Sequence, residues 1–342
     1  MRQGMPLDWI TRQVSGAVRQ GLTFEQVMAA SLIDLRHGDN RDLIGPAQYL
    51  LLCMNTALGI GDAAHGLARS RIDPAYTALG LRVALGCATL EDAILAVARL
   101  YRTASSAVHI ELKTTKDAAI LNVRANSAHD ADAVLLEDVY LSWIFMHCMY
   151  FLGAALPVIE VSTRDLLHFS LGHRHFAIDA PVRYDSVTGM RFSRALLGRR
   201  GVRRAGPNPH WECFRLWLDL LEHDNQLRTN SDCDRLRLKD IAERAGVSTS
   251  TMRRRLLNGG GFRHTRERVL VTAAVRKLQS TDDSVETIAA DLGYSDARSL
   301  RRFLKAATGT TPQQIRAAGF APHANDGEVR LRLQAIGAAM GA

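Results

Sequence analysis

Ile241-Ala242-Glu243-Arg244-Ala245-Gly246-Val247-Ser248 and Ile288-Ala289-Ala290-Asp291-Leu292-Gly293-Tyr294-Ser295 are two copies of one pattern, 47 residues apart. The first runs on as TSTMRRRLL and the second as DARSLRRFLK, with one extra residue in the second. Each aligned position has a physical reason. Ala242 and Ala289 are small where a second helix must cross a first closely. Gly246 and Gly293 supply a left-handed residue after that helix, where a Cβ costs energy. Ser248 and Ser295 stand where the next helix needs an N-cap. Met252 and Leu256, then Leu300 and Leu304, turn one stripe of each second helix inward. Ser250, Arg253 and Arg254 are then left on the outer face of one, and Arg298, Arg301 and Arg302 on the outer face of the other. This is helix-turn-helix spacing, and arginines so placed bond guanine edges or clamp phosphates. One copy is a weak signal. Two copies, joined by a helical stretch at about 264–278, are a strong one.

The charge distribution agrees. The chain has 342 residues and a net charge of +8. From Asn230 to Phe320 there are 17 Lys/Arg and 10 Asp/Glu; the remainder holds 26 and 25. A local positive field of this kind favours a polyanion, with nucleic acid the usual partner. Apolar residues at 47% and charged residues at 23% exclude a disordered or low-complexity chain. Five dispersed cysteines, with no CxxC or His-paired spacing, argue against a disulfide scaffold or zinc finger and fit a reducing cytoplasm. The first 18 residues lack the apolar run of an export signal.

Upstream, the pattern changes. Residues 1–28 read as a helical lead-in with Leu7, Ile10, Val14 and Val18 in register. Pro46–Thr56 and Leu90–Tyr101 read as helices, the second capped by Thr89. Ala107–Lys113 and Ala118–Arg124 shift to strand character around a polar turn, a hairpin signature. Val139–Ile159 carries no charge and is long enough to cross a bilayer. Its polar interruptions, with Gly153 and Pro157, point instead to a buried helix over 131–152. Pro157–Ser162, Val182–Tyr184 and Gly189–Phe192 read as strands. The expected architecture is an α+β regulatory domain followed by an all-α DNA-binding domain with two helix-turn-helix units. Its boundaries are 29–206 for the first domain, 207–234 for a linker helix, 235–320 for the second domain and 321–342 for a tail that is a loose helix or a frayed end. The linker helix begins near His210, and its stripe of Trp211, Phe214, Trp217, Leu218 and Leu221 serves to seal the first domain or to pair two chains.

Residues 236–317 resemble the AraC/XylS family of bacterial transcription regulators. The likeness rests on IAERAGVSTSTMRRRL, SVETIAADLGYSDARSLRRFLKAATGTTP and the closing Thr308–Arg316 stretch. It implies two recognition helices in successive major grooves of promoter DNA, with Thr249, Ser250, Arg253 and Arg254 as contacts in one. Ala297, Arg298, Arg301 and Arg302 are the implied contacts in the other. RNA polymerase is implied as a partner, as is action as a homodimer. Residues 30–204 are similar to the arabinose-binding-type effector domain of one branch of that family, through PVIEV, FAIDAPVRY and MRFSRALL. The name does not license a ligand; arabinose itself is not expected.

Two sharper effector readings remain. Arg199/Arg203 and Arg200/Arg204 form overlapping RxxxR pairs, similar to the arginine motif with which PilZ domains grip cyclic di-GMP, although the companion motif is missing. His168, His173 and His175, near Asp179, offer metal-ligating side chains without a diagnostic fourth ligand. The expectation is therefore a small-molecule or nucleotide effector, no metal and no cofactor. GxSxG, P-loop, Rossmann and HExxH signatures are absent, so no catalytic residues and no enzyme are expected. The rivals are a basic module for RNA or protein, and a metal-binding first domain.

Overall fold

The computed structural model describes residues 5–33, 43–164, 178, 180–202, 208–227, 248–256, 281–317 and 326–341, with positions 239, 242, 267, 270, 271, 274, 275, 277 and 278. Short β1 (Met5–Pro6) and β2 (Leu43–Ile44) pair antiparallel beside α1 (Leu7–Arg19). α1 is no separate lead-in: Trp9, Ile10, Val14 and Ala17 are buried in the regulatory domain's core. α2 (Phe24–Ala30) begins at a full capping box, Thr23 with Gln26. α3 (Pro46–Ile60), α4 (Pro74–Leu85) and α5 (Leu90–Ala104) follow. Asp73 caps α4 and Thr89 caps α5, the latter as expected.

β3 (Val108–Thr114) and β4 (Ala118–Ala125) form the expected hairpin, in register from Val108↔Ala125 to Thr114↔Ala119. β5 (Val158–Thr163), β6 (Val182–Tyr184) and β7 (Thr188–Ser193) complete a five-stranded sheet of order β3-β4-β7-β5-β6. All its pairs are antiparallel except β5–β6. Gly189 lies under β4, where a Cβ would sit 2.5 Å from the Leu121 carbonyl oxygen.

α6 (Asp130–Leu152) packs on β4 and β7 and against the other helices. It passes length and hydropathy tests for a membrane span, yet 89% of its most apolar stretch is buried inside the protein. It is the core helix that its polar interruptions indicated. It also carries buried acids with partners. Thr163 donates to Asp138 at 3.1 Å, while Glu137 accepts from Thr188 at 3.0 Å and from Arg164 at 3.0 Å.

A 3-10 turn (Arg194–Gly198) leads to α7 (Pro209–Leu227). Phe214, Trp217 and Leu218 are buried in the regulatory core, so the stripe seals that domain. Of the two readings of the tail, the described part is the helix. α12 (Asp326–Gly341) returns to the regulatory domain and packs on α3, α4 and α7, with Val329 and Leu333 fully buried. Its stripe Val329, Leu333, Ile336 and Met340 has helical spacing and therefore faces one way. Gly337 meets α7 so closely that a Cβ would come 2.9 Å from the Trp211 nitrogen.

The helical second domain has its own core: Leu270, Ala274, Val275, Leu278, Ile288, Ala289, Leu292, Leu300, Leu304 and Ile315. α8 (Thr249–Leu256), α9 (Val285–Asp291), α10 (Ala297–Thr308) and α11 (Pro312–Ala317) are its described helices.

Candidate DNA-binding surface and effector cavity

In the second unit Ser284 caps α9 by accepting from the Thr287 N–H at 3.1 Å. Ile288 and Ala289 bury the inner face. Gly293 then takes φ +77°, the left-handed turn its position required, and the Tyr294 N–H closes the turn on the Ala289 carbonyl at 2.8 Å. The next cap is Asp296 rather than the expected Ser295: its carboxylate accepts from the Ser299 N–H at 2.7 Å. That bond holds the Asp296 carboxyl below its usual range. Ser295 supports the cap by donating to Asp296 at 3.0 Å. The single-residue offset between the two copies is taken up here.

α10 then divides cleanly. Leu300 and Leu304 are fully buried. Arg298, Arg301, Arg302 and Lys305 are exposed along the opposite stripe. Arg301 pairs with Glu286 at 3.0 Å. Ala297, the remaining residue of the expected contact set, is 8% exposed.

In the first unit Ala242 is buried, as its twin Ala289 is. Ser248 caps α8, accepting from the Thr251 N–H at 3.1 Å. Its hydroxyl also bonds the Ser250 hydroxyl at 2.9 Å. Thr249, Ser250, Arg253 and Arg254 are all exposed. Gly246 and the Met252 and Leu256 side chains lie outside the described residues.

The regulatory domain holds a cavity between α3, α4, α6, α7 and α12. It encloses about 780 Å³ of atom-free space, mouth included, of which about 80 Å³ admits the centre of a water-sized molecule. Its wall includes Leu50, Met54, Ala57, Val139, Trp143 and Met146, with Trp217 from α7 and Met340 from α12. No Lys, Arg, Asp or Glu lines it. The polar wall groups are mostly engaged. The Tyr49 hydroxyl donates to Gln13 at 2.5 Å and accepts from the Trp9 N–H at 3.1 Å. Tyr140 donates to the Ala63 carbonyl at 3.2 Å, and Ser142 to the Asp138 carbonyl at 2.8 Å. Burial lowers the His65 pKa to about 4, so that ring is neutral and accepts from Gln13 at 3.0 Å. The indole N–H groups of Trp143 and Trp217 and the Thr77 hydroxyl are buried and have no hydrogen-bond partner among the described residues.

A family model described as the arabinose-binding domain of AraC transcription regulator, N-terminal, matches residues 21–200, more than half of the chain. The chain belongs to the AraC family of transcription regulators. A helix-turn-helix domain model matches residues 241–318, across both units of the AraC-type reader. A solved chain, the crystal structure of transcriptional regulator CdpR from Pseudomonas aeruginosa, is 17% identical, covering 86% of this chain and 96% of that one, with a TM-score of 0.29. At that distance no residue is carried across. No curated protein matches the chain.

The other two effector readings fare differently. Arg199 and Arg200 are exposed, and their backbones hold the start of α5 through Leu90 and Thr89. Neither lines the cavity, and the AraC-family match points to no nucleotide, so the cyclic di-GMP reading finds no support. Arg203 and Arg204 lie outside the described residues, as do His168, His173, His175 and Asp179. Among the described residues there is no group of three metal-ligating side chains. What sequence reasoning missed was the cavity itself. Its wall comes from separated helices, and the one available signal, the stripe of Trp211, Phe214, Trp217 and Leu221, reads more readily as domain packing than as a ligand box.

Proposed function

We propose that this AraC-family regulator reads promoter DNA through the outer faces of α8 and α10, under control of a small molecule held in the regulatory-domain cavity. The observation that carries the DNA half is the division of α10. One stripe is buried leucine; the other presents Arg298, Arg301 and Arg302 to solvent. Thr249, Ser250, Arg253 and Arg254 supply the matching set on α8. These arginines supply both the phosphate attraction and the base-edge donors that specific binding needs. The protein acts in the cytoplasm, where promoter and RNA polymerase are found, and two chains pair through the regulatory domain. Leu58 on α3, with Tyr76 and Leu79 on α4, are large apolar side chains left exposed there. Sedimentation of the full chain tests pairing. The DNA assignment is tested on a duplex selected from a random pool by the wild-type protein. Retention should persist against random duplex at physiological salt. Equal binding of both duplexes would make the second domain a general polyanion binder.

A further inference from the structure

The effector half of that reading leaves the chemistry of the ligand open, and the cavity wall restricts it. Every charged side-chain type is absent from the lining. Asp62, next to the wall residue Ala63, accepts from the backbone N–H groups of Ala64, Gly66 and Ile72 at 2.9 to 3.0 Å. A carboxylate, phosphate or ammonium entering here would lose its hydration with no counter-charge to replace it. A sugar would do little better. Its several hydroxyls would face Leu50, Met54, Ala57, Val139 and Met146, which offer no side-chain hydrogen-bonding group apart from a weak thioether. Three buried wall groups do stand without a partner among the described residues: the indole N–H groups of Trp143 and of Trp217, the latter on a residue 4% exposed, and the Thr77 hydroxyl. A buried donor without an acceptor is costly and invites one.

A second observation concerns which elements make the wall. Trp217 belongs to α7, the helix that precedes the DNA-binding domain. Met340 belongs to α12, the helix that follows it. The two helices also pack on one another. Gly337 of α12 lies against Trp211 of α7, and Arg332 donates to the Ala30 carbonyl at 3.1 Å, tying α12 to the end of α2. The cavity is thus closed by the two stretches of chain through which the DNA-binding domain is attached.

We propose that the cavity takes an uncharged, largely apolar ligand bearing a hydrogen-bond acceptor for an idle indole N–H of the wall, Trp217 or Trp143, and that α12 is its removable wall. This rests on the reading of the chain as an effector-controlled regulator, but its test has a readout of its own. Occupancy changes the packing of Trp217 and Met340 and so biases the α7–α12 pair. The ligand class differs from the sugar in the family model's description, and the reason is the lining of this chain.

The experiment uses the full chain and N-phenyl-1-naphthylamine, a neutral apolar probe that brightens out of water. Saturable binding is expected, displaced by decanol or decanamide at least tenfold better than by decanoate, and not displaced by L-arabinose. Ala57→Phe, which fills the wall, should weaken the probe at least tenfold. Gly337→Leu, which forces α12 from α7, should weaken it at least fivefold with the thermal transition of the protein retained. Met340→Ala, which leaves the helix seated, serves as a second wall variant should Gly337→Leu fail to fold, and should shift probe affinity at least threefold. Absent saturable binding, or displacement by decanoate equal to that by decanol, overturns the ligand class. Probe affinity unchanged in both α12 variants overturns the wall. Retention of the selected DNA duplex is measured on the same samples. Loss of selective retention with probe binding intact would refute the regulator reading alone, and the reverse would refute the ligand inference alone.

Discussion

Arg302→Ala is the perturbation that most directly interrogates the second recognition helix. Arg298 and Arg302 are four residues apart on α10, hence neighbours on one face. Both are exposed, and neither has an ion-pair partner among the described residues. Arg301, between them, already has Glu286 at 3.0 Å. That pair is exposed and weak, but it must be given up or shared when the guanidinium meets DNA. The expected order of loss is therefore Arg302 and Arg298 ahead of Arg301. A bidentate guanine contact contributes about 1–3 kcal/mol, a roughly 5- to 150-fold change in Kd. Where the guanidinium meets a phosphate instead, its removal lowers the salt slope by about one and weakens random duplex equally. Fluorescence anisotropy of selected and random duplexes, over a series of salt concentrations, separates the two. Arg254→Ala is the companion on α8. Unchanged anisotropy and footprints in both Arg302→Ala and Arg254→Ala would refute the assignment of these helices as the readers.

Other perturbations act on the scaffold. Burial lowers the pKa of His65 to about 4 and of His147 to about 3, while an unfolded histidine titrates near 6.5. The unfolded chain therefore takes up protons that the folded one refuses. Melting temperature should fall as pH drops through 6.5 toward 4, and a flat profile over that range would contradict neutral burial. His147→Leu should hold or raise the melting temperature at pH 7 and weaken its acid dependence. Both ring nitrogens of His147 lack partners among the described residues, so removing them relieves a desolvation cost of about 1–3 kcal/mol. Gly189→Val should cost at least about 2 kcal/mol in urea unfolding, because β4 leaves no room for a Cβ. Ala289→Leu should abolish DNA retention, with circular dichroism showing helix loss confined to the second domain, because Ala289 is buried at a helix crossing.

Local patterns are readable where one element carries its own signal. The β3–β4 hairpin shows in the change of period between Ala107 and Arg124, and α5 shows in its Thr89 cap. The buried fate of α6 follows from polar groups that a lipid-facing helix would not carry. The two helix-turn-helix units are legible because Gly293, Ala289 and the leucine stripe of α10 each answer a separate geometric demand. Four features are not. The parallel β5–β6 pair depends on chain between them that has no periodic signal. The cap falls on Asp296 rather than Ser295 because both side chains can serve, and only the backbone decides which is first. α12 reads only as a loose helix or frayed end although Val329, Leu333, Ile336 and Met340 keep helical spacing. Exposed Leu331, and Gly337 within a short run, blur the stripe, and a stripe does not name its partner. The cavity is invisible for the same reason: its wall exists only after α3, α4, α6, α7 and α12 have met.

The seating of α12 beside α7 has a consequence for engineering. The reader is spliced into the sensor rather than appended to it, so the closing of that loop is held at two seams. A chimaera that grafts a foreign reader after α7 and stops there would strip Val329 and Leu333 from the sensor's core and leave it with an open flank. Swapping modules in this architecture calls for carrying the returning helix along with its host, and matching Gly337 to whatever helix it will lie upon.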